Sequence, residues 1–109
     1  MTDDIQKLSK VLDELIQLLD ASGEKHWANW MLEAKTNLTY SNDYGIEHIL
    51  AAYGGMGSFS DLIIYRKTKS GHLKWSLSDR MRNSKLNKLR KQVWKLADGI
   101  RRNRIISDS

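Results

Sequence analysis

Apolar residues recur at steps of three and four from the start of the chain: Ile5, Leu8, Val11, Leu12, Leu15, Ile16 and Leu19. That period is one face of an α-helix. Gln6, Lys10, Asp13, Gln17 and Asp20 fall on the opposite face and belong in water. Thr2 or Asp3 serves as the cap, Asp3 and Asp4 suit the positive end of the helix dipole, and Ser22–Gly23 supplies the stop. A second helix is predicted from Glu24 to Thr39, with Trp27, Trp30, Met31, Ala34 and Leu38 on its apolar side. The short connection around Ala21–Gly23 makes the two antiparallel. Trp27 and Trp30, one turn apart, form a wide apolar surface read as core. A third, shorter helix starts at Asn42, a good cap, and ends at Gly54. Ile46, Ile49, Leu50 and Tyr53 are its buried stripe, and Tyr40 and Tyr44 flank its start.

The pattern then changes. Gly54-Gly55-Met56-Gly57-Ser58-Phe59-Ser60-Asp61 places three glycines in four positions, which permits backbone angles that side chains forbid. Large apolar residues inside and after it mark a tight turn rather than a linker. Leu62-Ile63-Ile64-Tyr65 is β-branched and aromatic, as in a short strand. Lys67–Gly71 is polar, and His72-Leu73-Lys74-Trp75-Ser76-Leu77 alternates with the period of a half-buried strand. The two runs predict a β-hairpin. A last helix follows from Asp79 to Arg102, capped by Ser76 or Ser78. Its residues Leu86, Leu89, Val93, Leu96 and Ile100 form a narrow seam of the coiled-coil kind, open to a partner helix. At 1.5 Å per residue this helix is about 36 Å long, wider than a domain of this size, so one end is expected to project. The fold class is therefore mainly α: an antiparallel bundle of about four helices, with a short extended or β-hairpin segment after the glycine-rich turn. Residues 1–109 read as a single domain.

Composition narrows the chemistry. Of the 109 residues, 40% are hydrophobic, enough for one modest core, and there is no cysteine and no proline. The missing cysteines exclude disulfide scaffolds, thiolate zinc sites and cysteine nucleophiles. No apolar run approaches the roughly 18 residues that span a bilayer. The acidic start, MTDDIQKL, lacks the basic and apolar regions of a signal peptide, so a cytoplasmic protein is expected. The net charge of +5 hides a split. Residues 1–65 hold 4 Lys/Arg against 10 Asp/Glu, whereas residues 79–109 hold 10 against 3. Such asymmetry implies a partner for one half, or contact between the halves.

Candidate catalytic groups are few. His26, His48 and His72 fall in different predicted elements and form no metal-ligand spacing. The glycine turn is followed by no Walker lysine, and it has a helix before it and a strand after it, the reverse of a dinucleotide fingerprint. Asp61 beside Ser58 and Ser60 reads as an acceptor of backbone hydrogen bonds within that turn. No acid, base or nucleophile is placed beside it by sequence, so no enzyme and no cofactor are expected. The stronger signal is a basic stripe on the last helix: Lys88, Lys91, Lys95 and Arg102 lie on one face, with Lys85, Arg101 and Arg104 near it. It is able to neutralise phosphates. Trp94 is the one aromatic interleaved with it, fewer than a single-strand platform carries.

The run Gly54-Gly55-Met56-Gly57-Ser58-Phe59-Ser60-Asp61 resembles the GGMGSFND-type signature of a small, uncharacterised bacterial family, with Ser60 in place of the usual Asn. Trp27, Trp30 and Leu32 match its Trp-containing second helix, and Asn83 or Asn87, Leu86, Leu89, Leu96 and Ala97 are similar to its C-terminal pattern. The last helix is more basic here than in that family. The resemblance implies a small single-domain protein of immunity type, which binds and blocks a cognate toxin, such as a nuclease domain of a contact-dependent growth-inhibition system. Two faces are candidates for the contact: the acidic Asp13, Glu14, Asp20 and Glu24, and the basic Lys88, Lys91 and Lys95. The turn residues Gly54, Gly55, Gly57 and Asp61 are assigned a structural role. The alternative is a small nucleic-acid-binding protein that uses the basic last helix.

Overall fold

The structure is a computed structural model that describes residues 2–40, 42–54, 58–64, 66–67, 73–74 and 77–108. Four α-helices dominate it: α1 (Thr2–Ala21), α2 (Lys25–Tyr40), α3 (Asn42–Ala51) and α4 (Leu77–Asp108). Helix α1 packs on α2 and α4, and α3 packs on α2 and α4. The four thus close a ring in chain order around one core. The molecule is elongated, 57 × 24 × 20 Å, because α4 alone runs 32 residues, about 48 Å at 1.5 Å per residue.

The apolar stripes meet as the periodicity requires. Leu8, Leu12, Leu15 and Leu19 of α1 are fully buried, with Met31 and Ala34 of α2, Ile46 and Ile49 of α3, and Leu86, Val93 and Ala97 of α4. Each buried leucine or isoleucine contributes about 1.5–3 kcal/mol. Gly23 ends the first hairpin in the left-handed region, φ 78°, and the Glu24 amide donates to the Leu19 carbonyl at 2.8 Å. Helices α2 and α3 are separated only by residue 41. Their close approach depends on Gly45, where an added Cβ would lie 2.8 Å from the Leu38 backbone nitrogen and 2.6 Å from its Cδ2.

Helix α3 stops at Ala51, three residues before the expected Gly54, and its end tightens through 3-10 bonds, Ala52 N–H to Ile49 O and Tyr53 N–H to Leu50 O, both 3.1 Å. The Phe59 amide then donates to the Ala52 carbonyl at 3.0 Å and closes the loop across the glycine-rich run. Phe59, the chain's single phenylalanine, is fully buried, its ring 5.2 Å from that of Trp27 and 5.6 Å from that of Tyr53. A 3-10 turn, Phe59–Asp61, begins here, and Ser58 Oγ accepts from the Ser60 amide as its cap.

The strand expected at Leu62–Tyr65 is displaced. Ile64 is buried, but its amide donates to Asn83 Oδ1 at 2.7 Å, and its carbonyl accepts from Asn83 Nδ2. A side chain of α4 satisfies this backbone in place of a neighbouring strand. The antiparallel pairing begins one step later, between β1 (Arg66–Lys67) and β2 (Leu73–Lys74), with Arg66 opposite Lys74 and Lys67 opposite Leu73. The hairpin loop at 68–72, His72 and Trp75 lie outside the described residues. Helix α4 starts at Leu77, not Asp79, and runs through Asp108. Its seam is not open to a partner helix. Leu86, Leu89, Val93 and Ile100 are buried, and α1 and α3 are the elements that pack on α4.

Candidate interaction cleft on the C-terminal helix

Arg90 organises the region where the 3-10 turn meets α4. Its Nη1 donates to the Phe59 carbonyl at 2.7 Å and the Leu62 carbonyl at 3.1 Å, and its Nη2 bonds Asn87 Oδ1. The guanidinium also lies 5.7 Å from the centre of the Phe59 ring, within cation–π range. The Tyr53 hydroxyl donates to the Arg90 carbonyl at 2.8 Å. Burial pushes the Tyr53 phenol far above its ordinary value, against the opposing pull of Arg90, so it stays a neutral donor. Burial lowers the Arg90 pKa, opposed by its electrostatic interactions with Tyr53 and with the Asp61 carboxylate. Arginine's fork suits this clasp because it reaches two carbonyls and a side-chain amide at once.

Beside this clasp opens a cleft of about 730 Å³ between α4, the end of α3 and the 3-10 turn. Trp94, Lys91, Lys95, Arg90 and Tyr53 line it. Trp94 is 42% exposed, a large indole half in water, and Lys91 and Lys95 beside it are exposed. Trp, Tyr and Arg are the side chains that most often carry protein–protein binding energy. The cleft is rimmed by cations, and none of the described residues in its lining is a carboxylate.

Of the basic stripe, the fold brings Lys91 and Lys95 to this cleft. Lys88 is exposed on α4 but outside its lining, and Arg102 is held by Asp98 at 2.9 Å. The acidic residues are dispersed. Asp13 pairs with Lys35 and Asp20 with Lys25, each joining α1 to α2, so two of the four proposed contacts have partners within the chain. Glu14 is exposed on α1, and Glu24 is half-buried in the α1–α2 connection. Gly54 has no left-handed φ and open space around it, so this position does not use glycine's freedom. Gly55 and Gly57 lie outside the described residues. Asp61 is exposed and is not part of the cleft's lining.

Sequence reasoning missed Arg90, Tyr53 and Asn87 as members of the site. A basic residue inside a seam-bearing helix reads as solvent-facing, and only the returning 3-10 turn shows what Arg90 holds. His48 stacks on Trp30 at 4.4 Å, its carbonyl accepts from Trp30 Nε1 at 2.9 Å, and the His26 ring lies 6.2 Å from the same indole. Among the described residues no group of three His, Cys, Asp or Glu is placed to hold a metal, and no helix is long and apolar enough to cross a membrane.

Residues 20–72 match the model of a domain of unknown function, DUF6966. That span reaches from the end of α1 to the hairpin loop, and it leaves out α4 and with it most of the cleft. The chain matches no curated protein and no solved structure.

Proposed function

We propose that this chain is an immunity-type binding protein, acting in the cytoplasm, that docks on a cognate toxin domain and occludes its active site. The single observation that carries the reading is the half-exposed Trp94 set in a concave, cation-rimmed cleft with Arg90 and Tyr53. An exposed tryptophan costs solubility unless a partner covers it, and a cleft of this kind gives it a defined seat. Charge decides which of the two candidate faces is used. Asp13 and Asp20 are engaged by Lys35 and Lys25, whereas Lys91 and Lys95 are in no ion pair among the described residues. The partner's docking surface is therefore acidic; the carboxylates that hold catalytic metals in a nuclease supply one such surface.

The test is co-purification of the tagged chain from its native host at moderate salt, beside its Trp94→Ala variant. One stoichiometric protein is expected with the native chain and affinity weakened about thirtyfold or more in the variant, since loss of a hot-spot tryptophan costs about 2 kcal/mol or more. The recovered domain should arrest growth when expressed alone and not when co-expressed with the chain. A partner retained equally by Trp94→Ala overturns the cleft, and a partner with no toxicity overturns the immunity reading.

The second reading, nucleic-acid binding, is favoured by one feature: Lys91 and Lys95 flank the exposed Trp94 face, so a base on the indole would have its phosphates near two cations. Nucleic acid in the eluate that leaves steeply with salt would establish it in place of the first.

A further inference from the structure

The Trp94 cleft does not end at Lys95. The same lysine lines a second hollow, of about 530 Å³, where α4 lies against α1. Val11 and Leu96, both half-buried, give it apolar surface, and Lys7 and Lys10 of α1 stand exposed at its edge. The two hollows adjoin at Lys95 and together run from the 3-10 turn across α4 to α1. Among the described residues five cations line them (Lys7, Lys10, Arg90, Lys91 and Lys95) and no carboxylate does. None of the four lysines is in an ion pair among the described residues, whereas Lys25, Lys35, Arg101 and Arg102 each are. Arg80, Lys85 and Lys88 are likewise in no ion pair among the described residues, but they stand on exposed parts of α4 outside both hollows.

We infer that the two hollows form one trough that takes an extended, acidic segment of the protein partner, its carboxylates on the lysines and its apolar side chains on Trp94 and on Val11 with Leu96. This rests on the protein-partner reading above and adds the partner's chemistry and the role of α1. The dimensions suit it. From Asn87 to Leu96 the trough follows nine steps of α4, about 14 Å. An extended chain covers that in about four residues, with apolar side chains on alternate positions. The second hollow presents aliphatic Val11 and Leu96 and no ring, a seat for an aliphatic side chain and not for a second stacked base.

The test uses the full chain and a fluorescein-labelled octapeptide of alternating aspartate and leucine, with an asparagine–leucine octapeptide and an octathymidylate as comparisons, all followed by anisotropy at low salt. The acidic peptide is expected to bind, more weakly as salt rises, and the asparagine peptide not to bind. Lys7→Glu with Lys10→Glu should weaken binding about tenfold. Arg80→Glu with Lys85→Glu changes net charge equally at exposed sites of α4 outside the trough, and should leave binding nearly unchanged. If the α1 pair has no more effect than the α4 pair, the trough is not continuous, and the inference is wrong even where Trp94→Ala still weakens binding and the Trp94 reading survives. Equal binding of the asparagine peptide, or no binding of the acidic one, removes the acidic segment, leaving the co-purification to decide for a protein partner independently. Tighter binding of octathymidylate through the same lysines would overturn both.

Discussion

Gly45 carries the most consequential backbone contact among the described residues. A methyl at that position would sit 2.8 Å from the Leu38 nitrogen, an atom fixed within helix α2. The leucine side chain is able to turn away; the helix backbone is not. Gly45→Ala is therefore expected to destabilise the protein by about 1–3 kcal/mol, the usual range for overpacking, despite alanine's better helix propensity. A thermal melt checks it, and a midpoint at or above that of the native chain would show that α2 and α3 separate freely. The run at Gly54–Gly57 draws the eye in the sequence, but Gly54 has open space and no left-handed φ. A glycine needed for close approach of two helices leaves no mark of its own beside the glycines of a turn.

At the scale of elements, the segment from Phe59 to Ile64 behaves as a strap across α4. Phe59 anchors it in the core, Arg90 holds the Phe59 and Leu62 carbonyls, and Asn83 satisfies both backbone groups of Ile64. A β-branched run therefore forms no strand, because its hydrogen bonds are taken by side chains of a helix. Asn83→Ala would leave the Ile64 amide and carbonyl buried without their partner, at a cost of about 1–3 kcal/mol. Hydrogen exchange at the Ile64 amide should accelerate well beyond the change in global stability, while the amides of α1 stay in step with the global change. Unchanged protection at Ile64 would mean that another group takes over its amide. The Trp94 cleft is formed between this strap and α4, so its shape depends on the strap staying in place.

For the whole molecule, the decisive fact is that the core is shared by all four helices. Leu8, Leu12 and Leu15 of α1 and Leu86, Leu89 and Val93 of α4 supply much of it, and all six lie outside residues 20–72. The segment that matches the domain of unknown function is thus missing two sides of its own ring. A fragment of residues 20–72 is expected to show no cooperative melting transition, since exposed apolar faces of α2 and α3 do not offset the chain entropy of folding. A cooperative transition with native-like helix content would show instead that α2, α3 and the strap fold by themselves. The cleft follows the same logic, because its walls join Tyr53 after α3 and Ser60 of the 3-10 turn to Asn87–Lys95 of α4, beyond the matched segment.

The sequence by itself determined the four helices and their order. Each stripe is a local property: Leu8, Leu12, Leu15 and Leu19 share a face wherever the helix sits, and Gly23 ends the first hairpin through its own φ. It also determined that the basic residues crowd the last helix and that Trp94 stands among them. Tertiary structure alone decided what those residues meet. Arg90 and Lys88 look alike along the chain, but the returning strap engages the first and leaves the second in water. Asp13 and Asp20 look like a free acidic face until α2 brings Lys35 and Lys25 beside them. The physical reason is the same throughout. A helix's buried face is fixed by a period of 3.6 residues within one segment, whereas hydrogen bonds, ion pairs and clefts depend on distances between segments, which exist only once the ring of helices has closed.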